Sequence, residues 1–348
     1  MRQEQGIEVV EPGERRNRSR RLAMAVAGVA CVWVLIAAAA AQASVVSVGS
    51  VLPATFAPAK FERVQTFFNT ALPETGANLA SPVTGAVVRW RVQGAIGGPF
   101  YLRILHPNGK GAFEAAGTSL PASPTDDGLQ TFKTLLPIQT GDLIGIDPTN
   151  ATDEIGVAAV AGSSYAAIFP TPFDGSIVAP SETHSGEEIE LSAEVQPAPE
   201  VTLVTPSTGS ITGGAVVTIT GKNLSGASAV NFGSLPAASI TVDSDTEITA
   251  TTPPAAKPGK VDVTVTTLAG TNANTRFDDY VYRACVVPGI TGRTLKAAKF
   301  RLRRNGCKLG HVKKVPAPKK KHGKVLKQQP KPGRVLAPGA RVRINLGS

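Results

Sequence analysis

The chain has 348 residues, 36 Lys+Arg against 26 Asp+Glu, a net charge of +10, 35 Gly and 27 Pro, with 18% charged and 5% aromatic residues. A hydrophobic share of 42% supports real cores and excludes a wholly disordered chain. So much Gly and Pro with so little charge excludes coiled coils and helical bundles. At about 100–200 residues per domain, the length predicts two or three domains of short strands joined by turns.

The first segment reads as an export address. Residues 1–21 hold six Arg and four Glu, and Leu22 to Ala41 carry no charge. Ala41-Gln42-Ala43 then supplies the small-x-small site of a secretory signal, with cleavage expected after Ala43. The rival is a single retained anchor, because about 20 apolar residues can cross a bilayer. The cluster Arg15–Arg21 stays cytoplasmic in either case.

Charge divides the rest of the chain. Residues 44–282 hold eleven basic and twenty-two acidic groups, whereas residues 283–348 hold nineteen basic groups and no acidic one. An acidic body is therefore joined to a strongly basic tail, an asymmetry that bears on partners.

Residues 44–196 show short β-branched and aromatic runs between turn residues. In Val87–Val92, Val88, Trp90 and Val92 alternate with Arg89 and Arg91, the period of a half-buried strand. Trp90 is thus expected in the core rather than as a sugar-stacking platform. Gly94–Pro99 predicts a hairpin turn after this strand, and Asn108-Gly109 a second after Phe100–Leu105. Further strands are expected at Thr131–Leu136, Leu143–Ile146, Ile155–Val160, Ala166–Phe169 and Ile189–Val195. Such spacing predicts a β-sandwich or jelly roll. His106, before Pro107, reads as a wet turn residue. His106 and His184 stand in no metal-ligand spacing. Glu187, Glu188 and Glu190 read as a solvated turn leading into the last strand rather than as paired catalytic carboxylates. Gly128-Leu129-Gln130-Thr131-Phe132 with Leu136–Asp142 resembles a β-sandwich module that recurs in secreted actinobacterial proteins. That resemblance carries no activity.

After a short linker at Pro197-Ala198-Pro199 come Val204-Thr205-Pro206, Gly213-Gly214, Val217–Leu224, Val230-Asn231-Phe232-Gly233, Ser244–Pro253, Gly259–Val265 and Phe277–Tyr280. In order and spacing, residues 198–282 resemble the TIG (IPT) family of immunoglobulin-like sandwiches. The resemblance implies a spacer or recognition module. The residues agree with it: Val261, Val263 and Val265 alternate as a strand, and Gly213-Gly214 and Gly221 offer turn conformations. Asp243-Ser244-Asp245-Thr246-Glu247 lacks the glycine of an EF-hand loop, where Ile248 stands, and reads as a turn before a strand.

The tail opens Cys285-Val286-Val287-Pro288-Gly289. Thr294 is a candidate helix N-cap. Leu295, Ala298 and Leu302 form one helical stripe, Gly306 a stop, and Val342, Ile344 and Leu346 a closing strand. Residues 284–348 resemble one PASTA domain, a helix against a small three-stranded sheet. That family is linked to peptidoglycan and β-lactam recognition. With Cys31 in the leader, the exported chain keeps an even pair, Cys285 and Cys307, which reads as a disulfide. His311 and His322 complete no zinc spacing, and no metal or cofactor is expected. Lys313, Lys314, Lys319, Lys320, Lys321, Lys324, Lys327 and Lys331 crowd a loop and the strand after it. They read either as a solvated face or as a surface for anionic wall polymers, acidic lipids or carboxyl-bearing glycans. Nucleic acid is not the expected partner, because Phe300 is the tail's only aromatic residue and offers no stacking platform.

The sequence thus predicts a mainly β, non-enzymatic protein of the cell envelope or exterior: leader or anchor at 1–43, sandwich at 44–196, TIG domain at 198–282, PASTA domain at 284–348. Its expected role is adhesion or binding, with peptidoglycan or anionic wall polymers held by the basic tail and a carbohydrate or protein partner for the first sandwich. The alternatives are a carbohydrate-active hydrolase or lyase with its site in 44–196, and an accessory regulator of wall synthesis.

Overall fold

The computed structural model describes residues 44–348. The leader or anchor reading and Cys31 lie outside these residues. Among the described residues no helix is long and apolar enough to cross a membrane.

The N-terminal body is a sandwich of two antiparallel sheets. The smaller has the order Val46–Gly49, Leu191–Pro197, Gly85–Val92, Gln130–Ile138. The larger runs Ile177–Val178, Phe113–Thr118, Phe100–Pro107, Leu143–Pro148, Thr66–Ala71, Glu154–Ile168, Glu182–Ile189, with Ala57–Lys60 also on Glu154–Ile168. Trp90, Val92, Phe67, Phe100, Leu102 and Ile146 fill the space between the sheets. Trp90 is 1% exposed, with its ring 4.8 Å from that of Phe132, so it is a core residue.

Several local expectations need correction. A β-bulge between Val87 and Arg89 resets the alternation, so Val87 rather than Val88 is fully buried beside Trp90. Gly94–Pro99 is not a hairpin. The strands before and after it pair with different partners, so the segment carries the chain from one sheet to the other. Asn108-Gly109 does turn a hairpin, with Asn108 Oδ1 accepting from the amides of Lys110 and Ala112 at 3.0 and 3.2 Å. Ile155–Val160 and Ala166–Phe169 are not separate strands; one strand, Glu154–Ile168, takes in both and stops before Phe169. Glu188 and Glu190 are not solvated: both are 0% exposed, where the chain passes from Glu182–Ile189 into Leu191–Pro197. His106 is at a strand end with a part-exposed side chain, as expected, but belongs to the strand Phe100–Pro107 rather than to the turn.

The middle body packs the sheet Glu200–Thr205, Val216–Lys222, Glu247–Thr251, Ser239–Ser244 against a second one. That sheet is Thr208–Ser210, Asp279–Arg283, Gly259–Thr267, Ala229–Phe232, Leu235–Pro236, with Gly270–Thr271 on Gly259–Thr267. Phe232, Tyr280 and Tyr282 meet edge-to-face in the core, Tyr280 lying 5.2 Å from Phe232 and 5.0 Å from Tyr282. Gly213 has the left-handed φ of +71° that favours glycine. Gly221 serves differently from the turn role expected of it. It lies within the strand Val216–Lys222, where a Cβ would run into the carbonyl oxygen of Glu200.

The C-terminal body is the small α+β unit. Helix Leu295–Arg304 starts at Thr294, whose hydroxyl accepts from the amide of Ala297 at 3.3 Å. It buries Ala298 and Leu302 against Val342, Ile344 and Leu346. The sheet order is Lys308–Val315, Arg341–Gly347, Val325–Gln329, with the first pair parallel and the second antiparallel. Cys285 and Cys307 form the disulfide.

Candidate anionic-ligand surface

The sheet of the C-terminal body has one apolar and one polar face because its strands alternate. Along Arg341–Gly347 the residues Val342, Ile344 and Leu346 point into the core, which leaves Arg341, Arg343 and Asn345 on the outer face. Register then places the neighbours. Lys313 and Lys327 both lie opposite Asn345, one from each side, and Gln329 lies opposite Arg343. A bulge between Leu309 and Val312 leaves His311 exposed beside this row. His311, Lys313, Lys327, Gln329, Arg343 and Asn345 line a cleft of about 310 Å³.

The sequence-predicted lysines do not form one patch. Lys313 and Lys327 meet on the outer sheet face. Lys314, opposite Leu346, belongs to the other face of its strand. Lys319, Lys320 and Lys321 form an exposed 3₁₀ turn. Lys321 and Lys324 line a separate groove of about 300 Å³ beside Thr291, Gly292 and Pro318. Sequence reasoning missed His311, Arg341 and Arg343 as members of the charged face. The Arg-Val-Arg-Ile alternation of residues 341–344 was the available signal, masked by the denser run of lysines upstream. The helix contributes another basic cleft, of about 500 Å³, where Arg293, Arg301 and Arg304 surround the exposed ring of Phe300. The Arg304 guanidinium stands 5.9 Å from that ring's centre.

The acidic bodies place their polar groups differently. Arg103 donates to Asp147 and Asp174 at 2.7 and 2.8 Å, and Thr66 donates to Asp147 at 2.6 Å. Burial pushes the Asp147 carboxyl up, against the pull of the Arg103 guanidinium. This network is internally satisfied and serves packing. His106 Nδ1 lies 2.6 Å from Asp142 Oδ1, with Asp142 buried. Glu188 accepts from Ser50 at 2.6 Å, but its second oxygen and all carboxylate oxygens of Glu74 and Glu190 are buried without a partner. Burial, followed by the charges of Glu188 and Glu74, pushes the Glu190 carboxyl up to about 8. Burial pushes Glu188 up to about 7, with Glu74 adding to the rise and Ser50 opposing it. A groove of about 360 Å³ on the larger sheet, lined by Phe56, Ala57, Val157, Tyr165 and Glu187, is the first sandwich's candidate partner surface. Tyr165 stacks on His184 at 4.6 Å. In the middle body Asp262, Asp278 and Asp279 approach one another, but Lys260 lies 2.9 Å from Asp279 and supplies a positive charge from within the chain.

Comparison with known proteins agrees with the architecture. Residues 199–280 match the IPT/TIG domain and residues 286–348 match the PASTA domain. No curated protein matches the chain. Among solved structures it is similar to the full extracellular region of plexin A4, at 12% identity over 65% of this chain and 34% of that one, with a TM-score of 0.22. The chain therefore spans about a third of that relative's length. The two matched domains mark a multidomain protein associated with the cell surface or cell wall, and the disulfide fits an extracellular or envelope location.

Proposed function

We propose that this chain is an exported, non-enzymatic envelope protein whose PASTA domain tethers it to anionic material of the cell wall. The two acidic sandwiches are then held ready for a carbohydrate or protein partner. The observation that carries this reading is a wall-linked type of domain with eighteen basic groups and no acidic one, none of which enters an ion pair among the described residues. Uncompensated cations raise the local concentration of polyanions and speed their capture. A binding role also suits the first sandwich. Its carboxyls with raised pKa, Glu188 and Glu190, are sealed from solvent, and a general acid must reach the bond it protonates.

The test is retention of residues 44–348 on purified cell wall over a salt series. Exposed charges are screened beyond about 8 Å at physiological salt. Retention is therefore expected at low salt, with steep loss as salt rises. A protein that passes through the wall at low salt would remove the tether.

A further inference from the structure

The outer face of the PASTA sheet has a charge pattern that folding alone does not favour. Three strands converge on it: Lys308, His311 and Lys313 from one edge, Arg341, Arg343 and Asn345 from the centre, Lys327 and Gln329 from the other edge. Lys308 stands directly opposite Arg341 across the parallel pair. Like charges opposite one another on neighbouring strands destabilise a sheet, whereas opposite charges stabilise it. An acidic residue at Asn345 or Gln329 would neutralise the rows at once. The chain instead places amides there, which add N–H donors and leave the cations free.

The spacing narrows the ligand. Strands lie about 4.8 Å apart and alternate residues about 6.8 Å apart. Lys313 and Lys327, two strands apart, therefore stand about 10 Å from each other with Asn345 between them, and Arg343 lies about 7 Å further along the central strand. This is a grid of separate cations over a shallow cleft, suited to a chain bearing one anion per short repeat. The face carries no Phe, Tyr or Trp; Phe300, the only one of these in the tail, sits on the helix, and the one ring on the face is the imidazole of His311. Sugar rings and nucleic-acid bases thus find no extended stacking surface here, only a single imidazole. The donors are an Arg fork, two ammonium groups, amide N–H groups and an imidazole. The Arg343 fork can take both non-bridging oxygens of one phosphodiester, and the ammonium groups add point charges for its neighbours along the chain.

Resting on the tether reading, we propose that the outer sheet face around Lys313, Lys327 and Arg343 is the docking surface for a linear polymer with a phosphodiester in each repeat. Adjacent phosphates engage adjacent rows of the grid. The Lys319–Lys321 turn adds general attraction without register.

Binding of residues 44–348 to poly(glycerol phosphate), to poly(glutamate) and to anionic phospholipid vesicles tests this, with folding of each variant checked by circular dichroism. K313Q/K327Q/R343Q should weaken poly(glycerol phosphate) binding at least tenfold and flatten its salt dependence. K319Q/K320Q/K321Q removes the same charge and should cost no more than threefold. K313R/K327R should retain binding. Equal losses in the two triple variants, or equal binding of poly(glutamate) or vesicles by the parent, overturn the proposal. Retention on purified wall without binding to poly(glycerol phosphate) also overturns it while leaving the tether intact. Absence of wall retention at low salt removes both.

Discussion

Glu190 is fully buried and neither of its carboxylate oxygens has a partner. An ionised carboxylate in that position is costly, so the group holds its proton instead. Its carboxyl is raised from 4.5 to about 8 by burial first and then by the charges of Glu188 and Glu74; that of Glu188 is raised from 4.5 to about 7 by burial first, with Ser50 opposing the rise and Glu74 adding to it. The folded state binds these protons more tightly than the unfolded chain, so the stabilisation is complete below about pH 4.5 and is lost as pH rises through 7 and 8. The melting temperature of residues 44–348 should fall by several degrees between pH 6 and pH 9. Glu190→Gln, which keeps the shape and cannot ionise, should remove much of that fall. A melting temperature independent of pH in the parent would contradict the buried neutral carboxyls.

Among the elements, the PASTA helix and sheet depend most on a single covalent tie. Cys285 follows the last strand of the TIG body, and Cys307 follows the helix and opens the sheet. The bridge closes a loop of about 23 residues, which in the chain-entropy model stabilises by roughly 3 kcal/mol. A unit of this size buries a small core, so that contribution is a large part of its stability. C285S/C307S should therefore unfold the PASTA body at a denaturant concentration well below that of the parent, while the sandwich transitions stay in place. Mass spectrometry of the folded parent should find no alkylatable thiol at either position.

At the scale of the molecule, the junctions are one- or two-residue connections between strands, flanked by hydrogen bonds, rather than loose linkers. Ala198 donates its amide to Thr84 in the first sandwich at 2.9 Å, and its carbonyl accepts from Asn223 of the TIG body at 3.2 Å. The TIG strand Asp279–Arg283 is separated from Cys285 by Ala284 alone, and the carbonyl of Arg283 accepts from Ile211 at 2.9 Å. Backbone groups tied in this way exchange slowly, whereas a flexible linker exchanges at once. The amides of Ala198 and Ile211 should accordingly be protected in hydrogen exchange to the level of neighbouring strand amides. Immediate exchange at Ala198 would mean that the first sandwich and the TIG body move independently, whereas exchange at Ile211 reports on the end of the TIG body itself.

Local periodicity and backbone chemistry are encoded in the chain alone. The alternation of Val261, Val263 and Val265, the helical stripe of Leu295, Ala298 and Leu302 with its Thr294 cap, and the cysteine pair were legible because each needs only its neighbours or a count. The ordered TIG and PASTA motifs were legible for the same reason. Which polar groups are sealed and which cations meet depends instead on packing between distant segments. Glu188 and Glu190 have the local pattern of a wet strand end and are buried because the chain crosses there between two sheets. Val88 yields the core to Val87 because a bulge, set by the pairing partner, shifts the alternation. Lys313 and Lys327 face one cleft with Arg343, whereas the lysines between them in the sequence do not, because strand register rather than chain distance sets which side chains are neighbours.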